Sequence, residues 1–498
     1  MDSSSSFSQY KELHFLLIPL MSQSHIIPII DFAKLLALHR VKISIITTPL
    51  NAQKYKSIVT HALKSNLNIQ LIPIHFPSQE FGLPQGCENM DSLNSLEMFQ
   101  NFLLASEMMQ EPLVKLIQDH MEPKPSCIIS SSPLTWTQQL AHKFKIPRYI
   151  FHTISCFTLY CSHMLNETNT QDTLVLDDDT FLIPNIPHKI EFTKAQLPQS
   201  TQDMKSLVDK MKKFQDLARG TLINTFEELE PWYFESYKKV VNKVFCVGPV
   251  SLCNKGMDEM VDRGNKASSM DDEHDNCLNW LDSMKPKSVI YACFGSLCHI
   301  TLLQMKEIGL GLESSNVPFI WIIRGLNFTL EVEKWLRDEN FEDRVRGRGV
   351  IIRGWAPQVL ILSHPSVGGF LTHCGWNSAL EGISRGVPMT TFPMFAEQFY
   401  NEKFIVNILK TGVRVGVGVS TTSWNEEKSG VLVSKDEVKR AINQLMDQGL
   451  EGEERRKIAK DLSHISKKAI QEEGSSYLNI KLLIEDVIYV LKNKEEIE

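Results

Sequence analysis

Residues 355–398 hold the densest set of side chains able to do chemistry: Trp355, His373, Asn377, Ser378, Glu381, Glu397 and Gln398. Gly369-Phe370-Leu371-Thr372 is a short apolar run that fits a buried strand. It runs into His373-Cys374-Gly375-Trp376, and Asn377 and Ser378, both N-cap types, precede a helical stretch from Ser378 to Arg385 with Glu381 in its first turn. Gly386 closes that helix. A strand, a Gly-containing turn and a fresh helix N-terminus make an anion site, because free N–H groups and the positive dipole end face the same point. His373, Asn377 and Ser378 add side-chain donors there, and the matching anion is a phosphate or diphosphate. Glu381 can accept from a ribose hydroxyl, Trp355 offers a flat apolar face for a base, and Glu397 with Gln398 suits sugar hydroxyls. The same residue types would also serve an ordinary βαβ unit with a core tryptophan and structural caps.

A second group lies near the start of the chain. His25 falls in the polar loop Met21–His25, between the apolar run His14-Phe-Leu-Leu-Ile-Pro19 and a helical pattern carrying Ile29, Ile30, Phe32, Ala33, Leu36 and Ala37. Loops at strand C-termini are where catalytic groups collect. Pro28 is placed by this reading in the first turn of the helix.

The elements that must position these groups alternate regularly. Strand-like runs at Val41–Thr48, Ile69–Ile74, Cys127–Ser130 and Pro147–Phe151 are separated by helical patterns, one of them continuous from about Ser95 to His120 and another beginning near Asn51. Continuous apolar strands in a β-α-β rhythm predict a parallel sheet covered on both faces. Residues 165–200 lose the rhythm and read as a surface excursion. Residues 254–275 are charged and poor in aromatics, as a flexible linker would be. A second β/α series follows, with Ser288–Ser296 and Pro318–Arg324 as strands. The expected organisation is α/β, with two doubly wound halves (1–253 and 276–498) facing each other across a cleft, and the last helix a candidate to pack back on the first half. Ligands of such sheets sit outside the C-terminal strand ends.

Composition bounds the function. The chain has 498 residues, 43% hydrophobic and 22% charged, with a net charge of −7, which gives no electrostatic case for nucleic acid or an anionic membrane. The ten cysteines include no CxxC pair, so reduced thiols in the cytoplasm are expected rather than disulfides or zinc. The apolar stretch from His14 to Ile30 is interrupted by Ser22, Gln23, Ser24 and His25, which argues against a membrane span. No GxGxxG follows a strand, which weighs against a dinucleotide dehydrogenase.

The string from Trp355-Ala-Pro-Gln to Glu397-Gln398 resembles the signature box of plant family-1 UDP-glycosyltransferases at nearly every position, and Phe15–Pro28, Trp280-Leu-Asp282, Phe294-Gly-Ser296 and Gly474-Ser-Ser476 extend the resemblance along the chain. It implies the GT-B fold, with two Rossmann-like domains, the donor on the C-terminal half and the acceptor on the N-terminal half. By that resemblance Trp355 stacks on uracil and the Ala356 backbone reads its edge. Gln358 lies near the ribose, and Glu381 holds the ribose hydroxyls. Ser296, His373, Asn377 and Ser378 hold the diphosphate, while Trp376, Glu397 and Gln398 hold the sugar. Gln398 at the last box position goes with glucose. His25 falls at the family's catalytic histidine. An imidazole, whose ordinary pKa is ~6.5, is suited to take the proton of an attacking hydroxyl at neutral pH. No metal-ligand cluster is visible in the sequence, and the helix and side-chain donors make a metal unnecessary, so no metal and no cofactor beyond the UDP-glucose donor are expected; the other partner is a small lipophilic acceptor. The stretches Glu191–Pro198 and Val250–Lys255 look like a subgroup acting on triterpenoids, steroids, flavonoids and plant hormones. Its pocket is expected from residues near 85–100, 134–155 and 180–200, with Phe395 and Phe399.

Two departures from the family pattern stand out. Ser24 replaces the usual Gly before the histidine, which would matter if the backbone there needs φ > 0. Ser131 stands where the family carries an Asp that orients the histidine. A hydroxyl can accept from the imidazole N–H but supplies no negative charge. In a serine-protease triad, loss of that charge costs about 10⁴ in rate. The alternative function is therefore a UDP-sugar-binding pseudoenzyme with little turnover.

Overall fold

The computed structural model describes residues 13–168, 176–198, 202–263, 271–324, 329–421 and 430–495. The N-terminal half supplies β1 (His14–Ile18), β2 (Lys42–Thr47), β3 (Ile69–Pro73), β4 (Cys127–Ser131), β5 (Arg148–His152), β6 (Thr180–Leu182), β7 (Glu191–Thr193), β8 (Gly220–Ile223) and β9 (Val244–Cys246). The C-terminal half supplies β10 (Val289–Cys293), β11 (Phe319–Ile323), β12 (Gly349–Arg353), β13 (Val367–Thr372), β14 (Met389–Thr391) and β15 (Gly412–Arg414). The first sheet runs β3-β2-β1-β4-β5-β8-β9 and the second β12-β11-β10-β13-β14-β15, all pairings parallel. Every residue of β1 and of β10 is buried, as expected of strands covered by helices on both faces. Both orders double back at one point, between β1 and β4 in the first sheet and between β10 and β13 in the second. The excursion at 165–200 holds a small antiparallel pair, β6 with β7.

Several elements differ from the sequence reading, each for a local reason. The pattern at 95–120 is two helices, Leu96–Glu107 and Gln110–His120, separated at Met108 and Met109. Asn51 lies inside the helix Pro49–Lys54, where Pro49 takes the first position and Asn51 is buried. The first helix begins at Gln23, so His25 is helical and Pro28 is the sixth residue. The box helix begins at Trp376 after Gly375, which puts Asn377 and Ser378 inside its first turn and Glu381 in its second. In the charged stretch read as a linker, Met257–Asp262 is a helical turn and a helix starts at Asp271, while 264–270 lie outside the described residues. The last helix, Ser475–Glu495, inserts Ile480, Leu483, Ile484 and Val487 into the core of the N-terminal sheet.

Candidate functional site

Both chain reversals place chemistry at the same kind of point, the crevice where neighbouring helices depart to opposite faces. In the first sheet β1 leads to His25, and β4 ends at Ser131. The His25 Nδ1 lies 3.1 Å from the Ser131 Oγ, which also accepts from Leu20 N–H at 3.0 Å. In the tautomer that donates from Nδ1 to this oxygen, Nε2 is left without its proton and faces away from Ser131. Burial holds the His25 imidazole down at about 4, and its place near a helix N-terminus disfavours the cation further. The ring is therefore neutral at pH 7. Ser24 lies within the helix and is not among the residues with positive φ, so its Cβ brings no backbone strain.

In the second sheet β10 leads to Gly295 and half-buried Ser296, and β13 leads to His373. The His373 ring is buried, and its Nδ1 has no hydrogen-bond partner among the described residues. Burial, then Arg324, hold it down at about 3, so it too is neutral. The backbone closes tightly around it: a Cβ on Gly295, whose φ is +75°, would stand 2.5 Å from Nε2, and one on Gly375 would stand 2.4 Å away. Cys374 takes a left-handed φ of 66° to turn the chain into the helix Trp376–Arg385. Trp355 is half-buried on the approach to Ala356, which is buried. Gln358 donates from Nε2 to Ser378 Oγ at 3.1 Å and to Glu381 Oε2 at 2.8 Å, so these three form one polar cluster.

Not every predicted sugar contact is open. The Trp376 indole is buried and donates to Asn224 O at 2.8 Å, across to the N-terminal half. The Gln398 side chain turns inward, its Oε1 accepting from Met394 N at 2.8 Å and Phe395 N at 3.2 Å. Burial pushes the Glu397 carboxyl up, with the Trp376 N–H among the bonds that pull it back. Phe399 is fully buried in the core, whereas Phe395 is partly exposed.

The two halves meet at the first turn of the His25 helix, through a carbonyl that the sequence leaves free. Proline has no N–H, so Pro28 leaves the carbonyl four residues earlier, that of Ser24, without its helical partner. Asn377 Nδ2 fills the vacancy at 2.8 Å from Ser24 O, and Asn224 Nδ2 lies 3.3 Å from Asn377 Oδ1. The helix whose N-terminus forms the expected anion site is thereby pinned one residue from the candidate base. Four further residues were not singled out by the sequence, although Asp91 and His152 fall in the ranges read for the acceptor pocket. Asp91 caps the first helix, accepting from Ser22 Oγ at 2.7 Å and Gln23 N at 3.0 Å. His152, at the end of β5, has a buried Nε2 with no partner among the described residues and is held down at about 3 by burial, then by His25 and Arg148. Asn224 follows β8, and Arg263 reaches Glu381 from the segment between the halves. None lies in a motif; only the fold brings them here. Among the described residues no cluster of His, Cys, Asp and Glu could hold a metal ion, and no helix is long and apolar enough to cross a membrane.

Comparison with known proteins places this geometry. The family described as UDP-glucoronosyl and UDP-glucosyl transferase matches residues 254–446. UDP-glycosyltransferase 73C3 of Arabidopsis thaliana is 46% identical over 491 residues, covering 97% of this chain and 98% of that protein. UDP-glycosyltransferase 73C5 of the same plant is 47% identical over 482 residues, covering 96% and 97%. Glycyrrhiza uralensis UGT73P12, solved with glycyrrhetinic acid 3-O-monoglucuronide, superposes with a TM-score of 0.90 at 35% identity, covering 98% of each chain. Medicago truncatula UGT71G1, solved with UDP-glucose, superposes with a TM-score of 0.75 at 26% identity, covering 96% of this chain and 98% of that one. Similarity of this extent, over a GT-B pair of parallel sheets, shows that the chain belongs to the plant family-1 UDP-glycosyltransferases and is a UDP-sugar glycosyltransferase.

Proposed function

We propose that the protein transfers glucose from UDP-glucose to a hydroxyl of a small lipophilic acceptor, inverting the anomeric carbon. The observation that carries this reading is the bond from Asn377 Nδ2 to Ser24 O, which sets the donor box beside His25. The acceptor oxygen attacks the sugar C1 while its proton passes to His25 Nε2. The bond from C1 to the diphosphate breaks, and its electron pair leaves with UDP. Attack from the face opposite UDP inverts C1, through an oxocarbenium-like state. The growing diphosphate charge meets the N-terminus of the helix Trp376–Arg385, with Ser296, His373, Asn377 and Ser378 as donors, so the leaving state is favoured over the ground state. Trp355 and Ala356 hold the uracil, Gln358 and Glu381 the ribose, and Trp376, Glu397 and Gln398 the sugar. For Trp376 and Gln398 this requires backbone contacts or a side-chain turn, given the bonds above. No metal or further cofactor enters the scheme.

Glucose is supported by Gln398 at the last box position and by the neighbour solved with UDP-glucose. A triterpenoid, steroid or flavonoid acceptor is supported by the neighbour solved with glycyrrhetinic acid 3-O-monoglucuronide and by Arabidopsis thaliana UGT89C1 solved with quercetin. The cytoplasm is the proposed location. One observation favours the pseudoenzyme alternative: a hydroxyl, not a carboxylate, faces Nδ1. Incubation with UDP-glucose and a panel of these acceptors, read by mass spectrometry, separates the two. A hexose adduct establishes turnover, whereas UDP binding with no adduct from the wild type, and an adduct from Ser131→Asp on the same panel, favours the alternative.

A further inference from the structure

We infer that Arg263 is a positioning residue for donor recognition: it sets the Glu381 carboxylate for the ribose and ties that setting to the helix that carries His25. The inference rests on the reading of Glu381 as the ribose acceptor. Arg263 belongs to neither sheet; it follows the turn Met257–Asp262 in the charged segment between the halves. Its Nε donates to Asp31 Oδ2 at 2.7 Å and its Nη1 to Glu381 Oε1 at 2.6 Å. The three side chains are 10%, 1% and 6% exposed respectively, so this is a covered ionic bridge rather than a surface pair. Asp31 lies nearly two turns along the helix from His25, and its other oxygen accepts from Asn254 Nδ2 at 2.8 Å. Lys34 of the same helix donates to Asn254 Oδ1 at 2.6 Å, which extends the network to a second residue of the segment.

The geometry at Glu381 gives the bridge its function. A carboxylate has about four lone-pair sites. Arg263 occupies one on Oε1 and Gln358 one on Oε2, at 2.8 Å. Held from both sides, the group cannot rotate, and one site on each oxygen is left for two vicinal hydroxyls. Without Arg263 two covered carboxylates would lose the guanidinium that bridges them, and Glu381 would be free to turn away from this setting. That turn removes a fixed charged acceptor, and a hydrogen bond to such an acceptor is worth about 10- to 100-fold in affinity.

The test compares UDP with 2′-deoxy-UDP by calorimetry on the full chain, for wild type and for Arg263→Met, Arg263→Lys and Asp31→Asn. Wild type is expected to prefer UDP by about 10- to 100-fold. Arg263→Met should bring the preference within about threefold, as Glu381→Gln should, while Arg263→Lys recovers part of it by restoring the charge. Asp31→Asn should give an intermediate loss, and it carries the test if Arg263→Met does not fold. A folded Arg263 or Asp31 variant with the wild-type preference overturns this inference alone. A variant that binds UDP more tightly than wild type also overturns it, because Arg263 would then be filling the place of the ribose. Wild type that binds UDP and 2′-deoxy-UDP equally overturns the ribose reading of Glu381, and this inference with it.

Discussion

Replacing Ser131 by Asp tests the site where the chain departs from its family. In the wild type one hydroxyl oxygen faces two donors, His25 Nδ1 at 3.1 Å and Leu20 N at 3.0 Å. A carboxylate offers each donor its own oxygen and adds a charge beside the ring. An adjacent opposite charge raises an imidazolium pKa by about one to three pH units, which is about 1.4–4 kcal/mol of stabilisation of the cation. With the proton about half transferred in the transition state, about half of that lowers the barrier, and kcat rises about 3- to 30-fold. The sign of the pH effect follows from the same shift. The base works only when neutral, and the wild-type ring is held at about 4, so the acid limb of kcat/KM lies near there. In Ser131→Asp that limb moves up to between about pH 5 and 7. Initial rates of glucoside formation from about pH 3.5 to 9, with UDP affinity measured in parallel, give both quantities. An unmoved limb with kcat within about twofold of wild type, at unchanged UDP affinity, would refute the coupling of position 131 to the base.

Three further outcomes are expected. His25→Ala should cut glucoside formation by about 10²–10⁴ and leave UDP affinity unchanged in calorimetry. Trp355→Ala should weaken UDP binding by about 1–3 kcal/mol, the usual worth of a base stacked on an aromatic ring, and an unaltered Kd would remove Trp355 from the uracil site. Asp486→Asn should lower Tm. Burial works to raise this carboxyl, but bonds from Arg219, Lys243 and Tyr149 hold it at about 2, against an ordinary 3.8. Its contribution is therefore full above the unfolded value and lost as pH falls through the folded one. The Tm gap between the variant and wild type should persist at pH 7 and narrow between about pH 4 and 2, and a gap that widens on acidification would rule out this role for Asp486.

The parallel sheets were legible because short apolar runs such as Phe15–Ile18 and Val289–Cys293 alternate with helical patterns, a rhythm that fits strands covered on both faces. The donor box was legible because its residues are contiguous on one strand–turn–helix unit. Helix starts were less so. Asn377 and Ser378 have the chemistry of caps, yet Gly375 ends the turn and the helix begins before them, freeing the Asn377 amide for Ser24. Pro28 shows the same limit, since its type marks a missing N–H but not how deep in the helix the gap falls. Asp91, His152, Asn224 and Arg263 were illegible for a different reason. Each is one polar residue in an ordinary context; the partners of Asp91, Asn224 and Arg263 stand tens to hundreds of positions away, and His152 has none at its buried Nε2, so local pattern carries no trace of them. Composition reads 254–275 as a flexible linker and gives no sign that Asn254 and Arg263 within it are buried and held by amide and charge bonds.

The last helix gives the molecule a second passage between its halves. Ser476 Oγ bonds Gly248 O and Asn479 Nδ2 bonds Cys246 O, so the returning chain crosses beside the outgoing one. Two bodies joined by a single thread can wobble in every direction; two bodies pinned at adjacent points keep chiefly one swing, like a book about its spine. The second passage also means that a protein cut at the segment between the halves cannot be rebuilt from two simple pieces, because the final page of the second half is bound into the first.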